Sequence, residues 1–179
     1  MKKILVFILM VFSLPSFGQQ TQTPTPDSLY TDIVQVDSLS QNQLFSRAKL
    51  FVATRFNSAP DVTKLSDEAA HTIVVKGRLN RFYVNPFNKS LGGAVNFTLK
   101  IATKEGKYKY EITDLYHSDV HHNGDYSGGS LSNEKPACGG LFMTKRNWHK
   151  IKEDADNQLQ QLIQELYASM KAPANQDNW

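Results

Sequence analysis

The chain has 179 residues, 40% hydrophobic and 21% charged, which is enough for one ordinary domain core and too few for two. Its formal net charge of +3 falls to +1 when Lys2 and Lys3 are set aside with the first 18 residues, because 18 basic side chains then face 17 acidic ones. That balance gives no charge-based case for a dedicated polyanion binder, and a lone cysteine, Cys138, excludes an intramolecular disulfide.

The first element, "MKKILVFILMVFSLPSFGQQ", has a charged start, an apolar run from Ile4 to Phe12 and small residues at Ser16 and Gly18. It reads as a secretory signal peptide over residues 1–18, cut after Gly18. The run is shorter than the roughly 20 residues that a bilayer span needs, so the mature chain is expected to be soluble and secreted or periplasmic. Residues 19–30, with two prolines and no apolar period, read as a flexible leader. A single domain is then expected over 31–172, with a loose tail at 173–179.

Within that domain "DIVQVDSL" at 32–39 alternates as a first strand. Ser40 and Gln43 form a capping box, and Leu44, Ala48, Phe51, Val52 and Arg55 recur at helical spacing, predicting a helix that ends near Asn57 before Pro60. "HTIVVKGRLNRFYV" at 71–84 reads as a strand with a bulge at Gly77. "AVNFTLKIATKEGKYKYEITDLYH" at 94–117 reads as a hairpin about Glu105-Gly106. Counting outward from that turn pairs Ile101 with Tyr110, Leu99 with Ile112, Phe97 with Asp114 and Val95 with Tyr116 on the core face. On the other face Lys100 meets Glu111 and Thr98 meets Thr113, both favourable pairs, and Asp114 is the single misfit. Residues 118–143 carry five glycines and read as a long irregular loop. Trp148, Ile151, Ala155, Leu159, Leu162, Ile163, Leu166 and Met170 mark a long amphipathic helix closed by Pro173.

The expected fold is a two-layer α+β domain, in which one antiparallel sheet carries two helices on one face in the order β-α-β-β-β-α. "LFSRAKLFVATRF", "IVVKGRL" and "VNFTLKIATKEGKYKYEITDLYH" resemble a family of uncharacterised exported bacterial proteins whose domain has a TATA-binding-protein-like fold. The resemblance covers about residues 33–117. It implies that fold and brings no catalytic residues, and the fold's name is no evidence of DNA binding.

Candidate chemistry is concentrated in "DLYHSDVHHNGDYSGGS" at 114–130. If the strand continued, His117, Asp119 and His121 would share one side and, with His122 and Asp125, could hold a divalent ion for a metal-dependent hydrolase. Ser118, Asn123 and the glycines argue instead for a solvated loop, so no metal or cofactor is assigned. Replacing His117 and His121 together with alanine is then expected to leave the melting temperature unchanged, with or without zinc. The second candidate is the uncovered face of the sheet, where Lys76, Arg78, Lys100 and Lys109 stand beside Thr98 and Thr113. Such a strip could take a protein, peptide or glycan partner in the cell envelope, or simply keep the sheet wetted. Export makes nucleic acid a poor partner. The adjacent Asp67 and Glu68 read as a solvated turn, and Cys138 as a half-buried free thiol. No nucleophile elbow, phosphate loop or dinucleotide fingerprint is present, so a non-enzymatic binding module is the leading expectation.

Overall fold

Apolar periodicity marks the long elements, and a computed structural model describes residues 30–56, 58–80, 82, 92–119 and 126–172. In order these form β1 (Tyr30–Gln35), α1 (Gln41–Arg55), α2 (Ala59–Val62), β2 (Thr63–Asp67), β3 (Thr72–Leu79), β4 (Ala94–Lys104), β5 (Lys107–Ser118), β6 (Gly129–Ser130) and α3 (Lys145–Lys171). The strands make one sheet in the order β1-β5-β4-β3-β2, with β6 also on β5, and every pairing is antiparallel. Both long helices cover one face, as expected.

α1 starts where its capping box dictates: Ser40 Oγ accepts from the Gln43 N–H at 3.3 Å, and the Ser40 N–H donates to Gln43 Oε1 at 2.9 Å. It buries Leu44, Phe45, Ala48, Phe51 and Val52. α3 is capped by Thr144, whose Oγ1 accepts from the Asn147 N–H at 3.2 Å, so it starts three residues before the first periodic residue, Trp148. Its buried residues are the eight named from periodicity. Full burial of one such side chain contributes about 1.5–3 kcal/mol relative to leaving it in water.

Three expectations are corrected. β1 starts at Tyr30, two residues early, because Tyr30 is buried opposite Ile112. It ends at Gln35, after which Val36 and Leu39 leave the sheet and bond to the backbone of Gly106 in the hairpin turn. α1 ends at Arg55, close to the expected Asn57 and ahead of Pro60, which sits in the first turn of α2, where its missing N–H costs nothing. Gly77 is no bulge, since Lys76, Gly77 and Arg78 pair in register with Thr98, Phe97 and Asn96. A Cβ at 77 would fall inside the Phe97 ring, so the glycine makes room for that side chain. The irregularity lies on β5 instead. Thr98 pairs with Thr113 but Asn96 pairs with Tyr116, so Phe97 faces two residues, Asp114 and Leu115. Asp114 has φ +56°, a conformation that Asp tolerates better than most side chains, and it is the misfit of the simple register.

Beyond the bulge every side chain changes face. Val95 pairs with His117 rather than Tyr116, and Ala94 with Ser118 rather than His117. Tyr116 turns out to 50% exposure and His117 turns in to none. That one-residue insertion positions everything described next.

Candidate functional site

The uncovered face of the sheet carries the residues expected there. Lys76, Arg78, Lys100 and Thr113 are exposed, and Thr98 and Lys109 are half-buried. Its charges are largely matched from within: Glu111 lies 2.5 Å from Lys109 Nζ and 3.8 Å from Lys100 Nζ. The hydrogen bond from Lys109, with both lysine charges, holds the Glu111 carboxyl below the usual glutamate range. Thr98 Oγ1 donates to Asp114 Oδ2 at 2.7 Å, and Arg78 Nε donates to Asn80 Oδ1 at 3.1 Å. Asp67 and Glu68 behave as a turn, with Asp67 Oδ1 accepting from the Ala70 N–H and Glu68 reaching Lys49 at 3.0 Å.

The histidine run divides. His121, His122 and Asp125 lie outside the described residues. His117 and Asp119 are fully buried, so the solvated-loop expectation fails for both. His117 Nδ1 accepts from the Gly128 N–H at 2.9 Å, and Nε2 faces the Gly92 carbonyl at 3.2 Å, an arrangement that fits a neutral ring protonated on Nε2. Its ring meets Trp148 edge to face at 5.9 Å. Gly128 is needed there, because a Cβ would run into the Trp148 ring. With both nitrogens bonded to backbone, His117 ties β5 to the loop ahead of α3, which argues against the expectation that replacing it together with His121 leaves the melting temperature unchanged. Asp119 Oδ2 accepts from the Tyr126 N–H at 3.2 Å, while Oδ1 has no partner among the described residues. Cys138, half-buried, belongs to the same latch: its N–H donates to the Ser127 carbonyl. Burial pushes its thiol up, and the Asp119 charge adds to the effect, which keeps it protonated rather than nucleophilic.

A third location was not read from the sequence. β1 pairs with β5 only as far as Ile112, and β6 takes up the same edge of β5 at Tyr116. The gap between them, at the bulge, opens a cleft of about 960 Å³. Its floor is Ile112, Leu115 and Leu131, and its rim holds Thr113, Asp114, Ser130 and Ser132. The far wall is one flank of α3, where His149, Lys152, Glu153 and Asp156 recur at helical spacing. Tyr30 closes one end, its hydroxyl donating to Asp156 Oδ1 at 2.5 Å. Burial and that carboxylate together raise the Tyr30 phenol above its ordinary range. Lys152 Nζ donates to the Asn133 carbonyl at 2.6 Å and lies 5.4 Å from the Trp148 ring centre, and burial lowers its pKa. The cleft thus has an apolar floor, fixed polar walls and the half-exposed Tyr116 ring at its mouth. The legible signal was the polar flank of α3; the bulge that opens the cleft was hidden in one misfit aspartate.

Residues 30–118 match the family described as a domain of unknown function (DUF4468) with TBP-like fold. Two solved structures share the architecture. A TBP-like protein from Parabacteroides distasonis is 12% identical with a TM-score of 0.54, covering 77% of this chain and 91% of its own. A DUF4468 family protein from Bacteroides ovatus is 15% identical with a TM-score of 0.58, covering 82% of this chain and 88% of its own. A search of curated proteins finds no match. Identities this low speak to fold alone. The segment from Tyr30 to Ser118 is therefore a member of the DUF4468 family of domains of unknown function, with a TBP-like fold.

Proposed function

We propose that the chain is an exported, non-enzymatic binding module whose ligand seat is the cleft between the end of β1, the β5 bulge, β6 and α3. The observation that carries this reading is the convergence of those elements on one concavity with an apolar floor and polar walls, the usual make-up of a binding site. Two of its charged side chains, Asp156 and Lys152, are already held by the Tyr30 hydroxyl and by the Asn133 carbonyl, an arrangement that supports a pre-formed seat for a ligand. A segment of envelope protein, peptide or glycan fits such walls. The N-terminal sequence supports export, and no helix among the described residues is long and apolar enough to cross a membrane. Native protein is expected to start at Gln19 by terminal sequencing.

The test is binding to peptide and glycan arrays by the native chain, by Ser132→Trp, which fills the cleft mouth, and by Lys76→Glu/Lys100→Glu on the sheet face. Signals lost only in Ser132→Trp support the cleft. Signals lost only in the double variant would move the site to the uncovered sheet face. The alternative, a metal-dependent hydrolase using His117, Asp119, His121, His122 and Asp125, is weaker because His117 has both nitrogens engaged. A zinc-dependent rise in melting temperature would restore it.

A further inference from the structure

Leu141 is 91% exposed, more than any other large apolar side chain among the described residues, and its neighbour Phe142 is 47% exposed. Scattered surface leucines need no explanation, but this pair is held out by its surroundings. Gly139, at φ +81°, and Gly140 have open space where a side chain would begin, so the loop stands clear of the body. Its base is firm: the Phe142 and Met143 N–H groups both donate to the Gly139 carbonyl, and Met143 is fully buried. The Tyr126 ring braces Phe142 edge to face at 5.4 Å. A turn so fixed presents its two apolar side chains outward at no further ordering cost.

The charge around this tip is one-sided. From residue 134 to 150 there are four basic side chains, Lys135, Lys145, Arg146 and Lys150, and one acidic one, Glu134, a net of 4 − 1 = +3. All four basic residues are exposed. The only carboxylate in that stretch reaches Lys145 at 3.7 Å across open solvent, and Lys150 reaches Asp154 at 3.4 Å. A chain nearly neutral outside this stretch has concentrated its excess charge beside its most exposed leucine.

We infer that the 139–143 loop is a peripheral anchor for an anionic lipid surface, with Leu141 and Phe142 entering the headgroup boundary and the flanking lysines and arginine meeting lipid phosphates. Neither signal holds a protein on a membrane alone; an apolar tip and a basic collar together do. This anchor lies outside the cleft, so the two assignments stand or fall separately.

The test places a reporter at the tip. The full chain carrying Leu141→Trp is mixed with brominated vesicles of phosphatidylethanolamine and phosphatidylglycerol, and with brominated phosphatidylcholine vesicles. Trp179 is replaced by phenylalanine in every chain, so that the fully buried Trp148 alone gives a constant background. A second chain carrying Leu50→Trp, an exposed position on α1, controls for recruitment through the apolar N-terminal run. The expected result is a blue shift and loss of emission for the tryptophan at 141 with the anionic vesicles alone, none at 50, and abolition by Lys145→Glu/Arg146→Glu. Equal quenching at both positions, or none at 141, overturns the inference. So does a blue shift at 141 without lipid that grows with protein concentration alongside a dimer in sedimentation, which would assign the tip to a second copy of the chain. Quenching that persists in the charge-reversed variant overturns the requirement for anionic lipid.

Discussion

His117 sits opposite Val95 with a backbone N–H on one ring nitrogen, a carbonyl on the other and the Trp148 ring in a T-shaped contact. Removing it leaves a cavity and strands at least one buried amide, that of Gly128. His117→Ala should therefore lower stability by about 2–4 kcal/mol in urea unfolding, the range for a cavity plus a lost buried hydrogen bond, and by the same amount with and without zinc. A loss below about 0.5 kcal/mol, typical of surface positions, would return His117 to the solvated loop. Alternation along the strand did place His117 and Asp119 on one side, and that much was legible. Which side was not, because it turns on the backbone of Asp114, whose positive φ leaves no mark in apolar periodicity beyond an acid in a core-facing slot.

The β4–β5 hairpin was readable from its turn to Thr98–Thr113, since both faces constrain one register there. α3 was readable throughout because eight apolar positions over 23 residues fix its buried stripe. β2 and β6 were missed for physical reasons. β2 is an edge strand of five mostly exposed residues with an irregularity at Lys64, and β6 is two residues whose pairing depends on the bulge. Gly77 was singled out rightly but for the wrong cause, and the pairing with Phe97 makes that testable. Gly77→Ala overpacks the face beneath the Phe97 ring and should cost about 1–3 kcal/mol. Phe97→Leu in the same chain should recover part of that loss, giving a coupling of about 0.5 kcal/mol or more. Additive effects would mean that the ring swings aside freely. At the bulge itself, Asp114→Asn should be nearly neutral, whereas Asp114→Val should cost about 1–3 kcal/mol, because a β-branched residue resists positive φ. Similar losses for the two would show that the Thr98 hydrogen bond, not the backbone, matters at this position.

At the scale of the molecule, the edge formed by β1, β5 and α3 holds an unusual concentration of phenols. Tyr167 Oη donates to Asp32 Oδ2 at 3.1 Å and lies 3.2 Å from Tyr110 Oη, Tyr30 is bonded to Asp156, and the Tyr108 hydroxyl is buried without a partner among the described residues. Burial is the main cause that raises all four, with Asp156 adding for Tyr30 and Asp32 for the other three. A phenol whose folded pKa exceeds its unfolded value of about 10 contributes its full stabilisation below pH 10 and loses it as pH rises toward the folded value. In that window the unfolded chain has released protons that the native chain retains, so stability must fall with pH. Tyr30, Tyr108 and Tyr110 are each less than a tenth exposed. Together they give a slope of as much as about 4 kcal/mol per pH unit, against a total stability of roughly 5–15 kcal/mol for a domain. The chain should therefore unfold cooperatively within a few units above pH 10, with phenolate absorbance from these tyrosines rising together with the loss of helical circular dichroism. Tyr108→Phe separates this account from general alkaline damage. It removes an orphaned hydroxyl and one retained proton at once, so it should leave neutral-pH stability equal or higher and shift the alkaline midpoint upward. A midpoint that stays put, or phenolate absorbance that rises well before the helix signal falls, would mean that these rings titrate within the native fold and do not limit its alkaline stability.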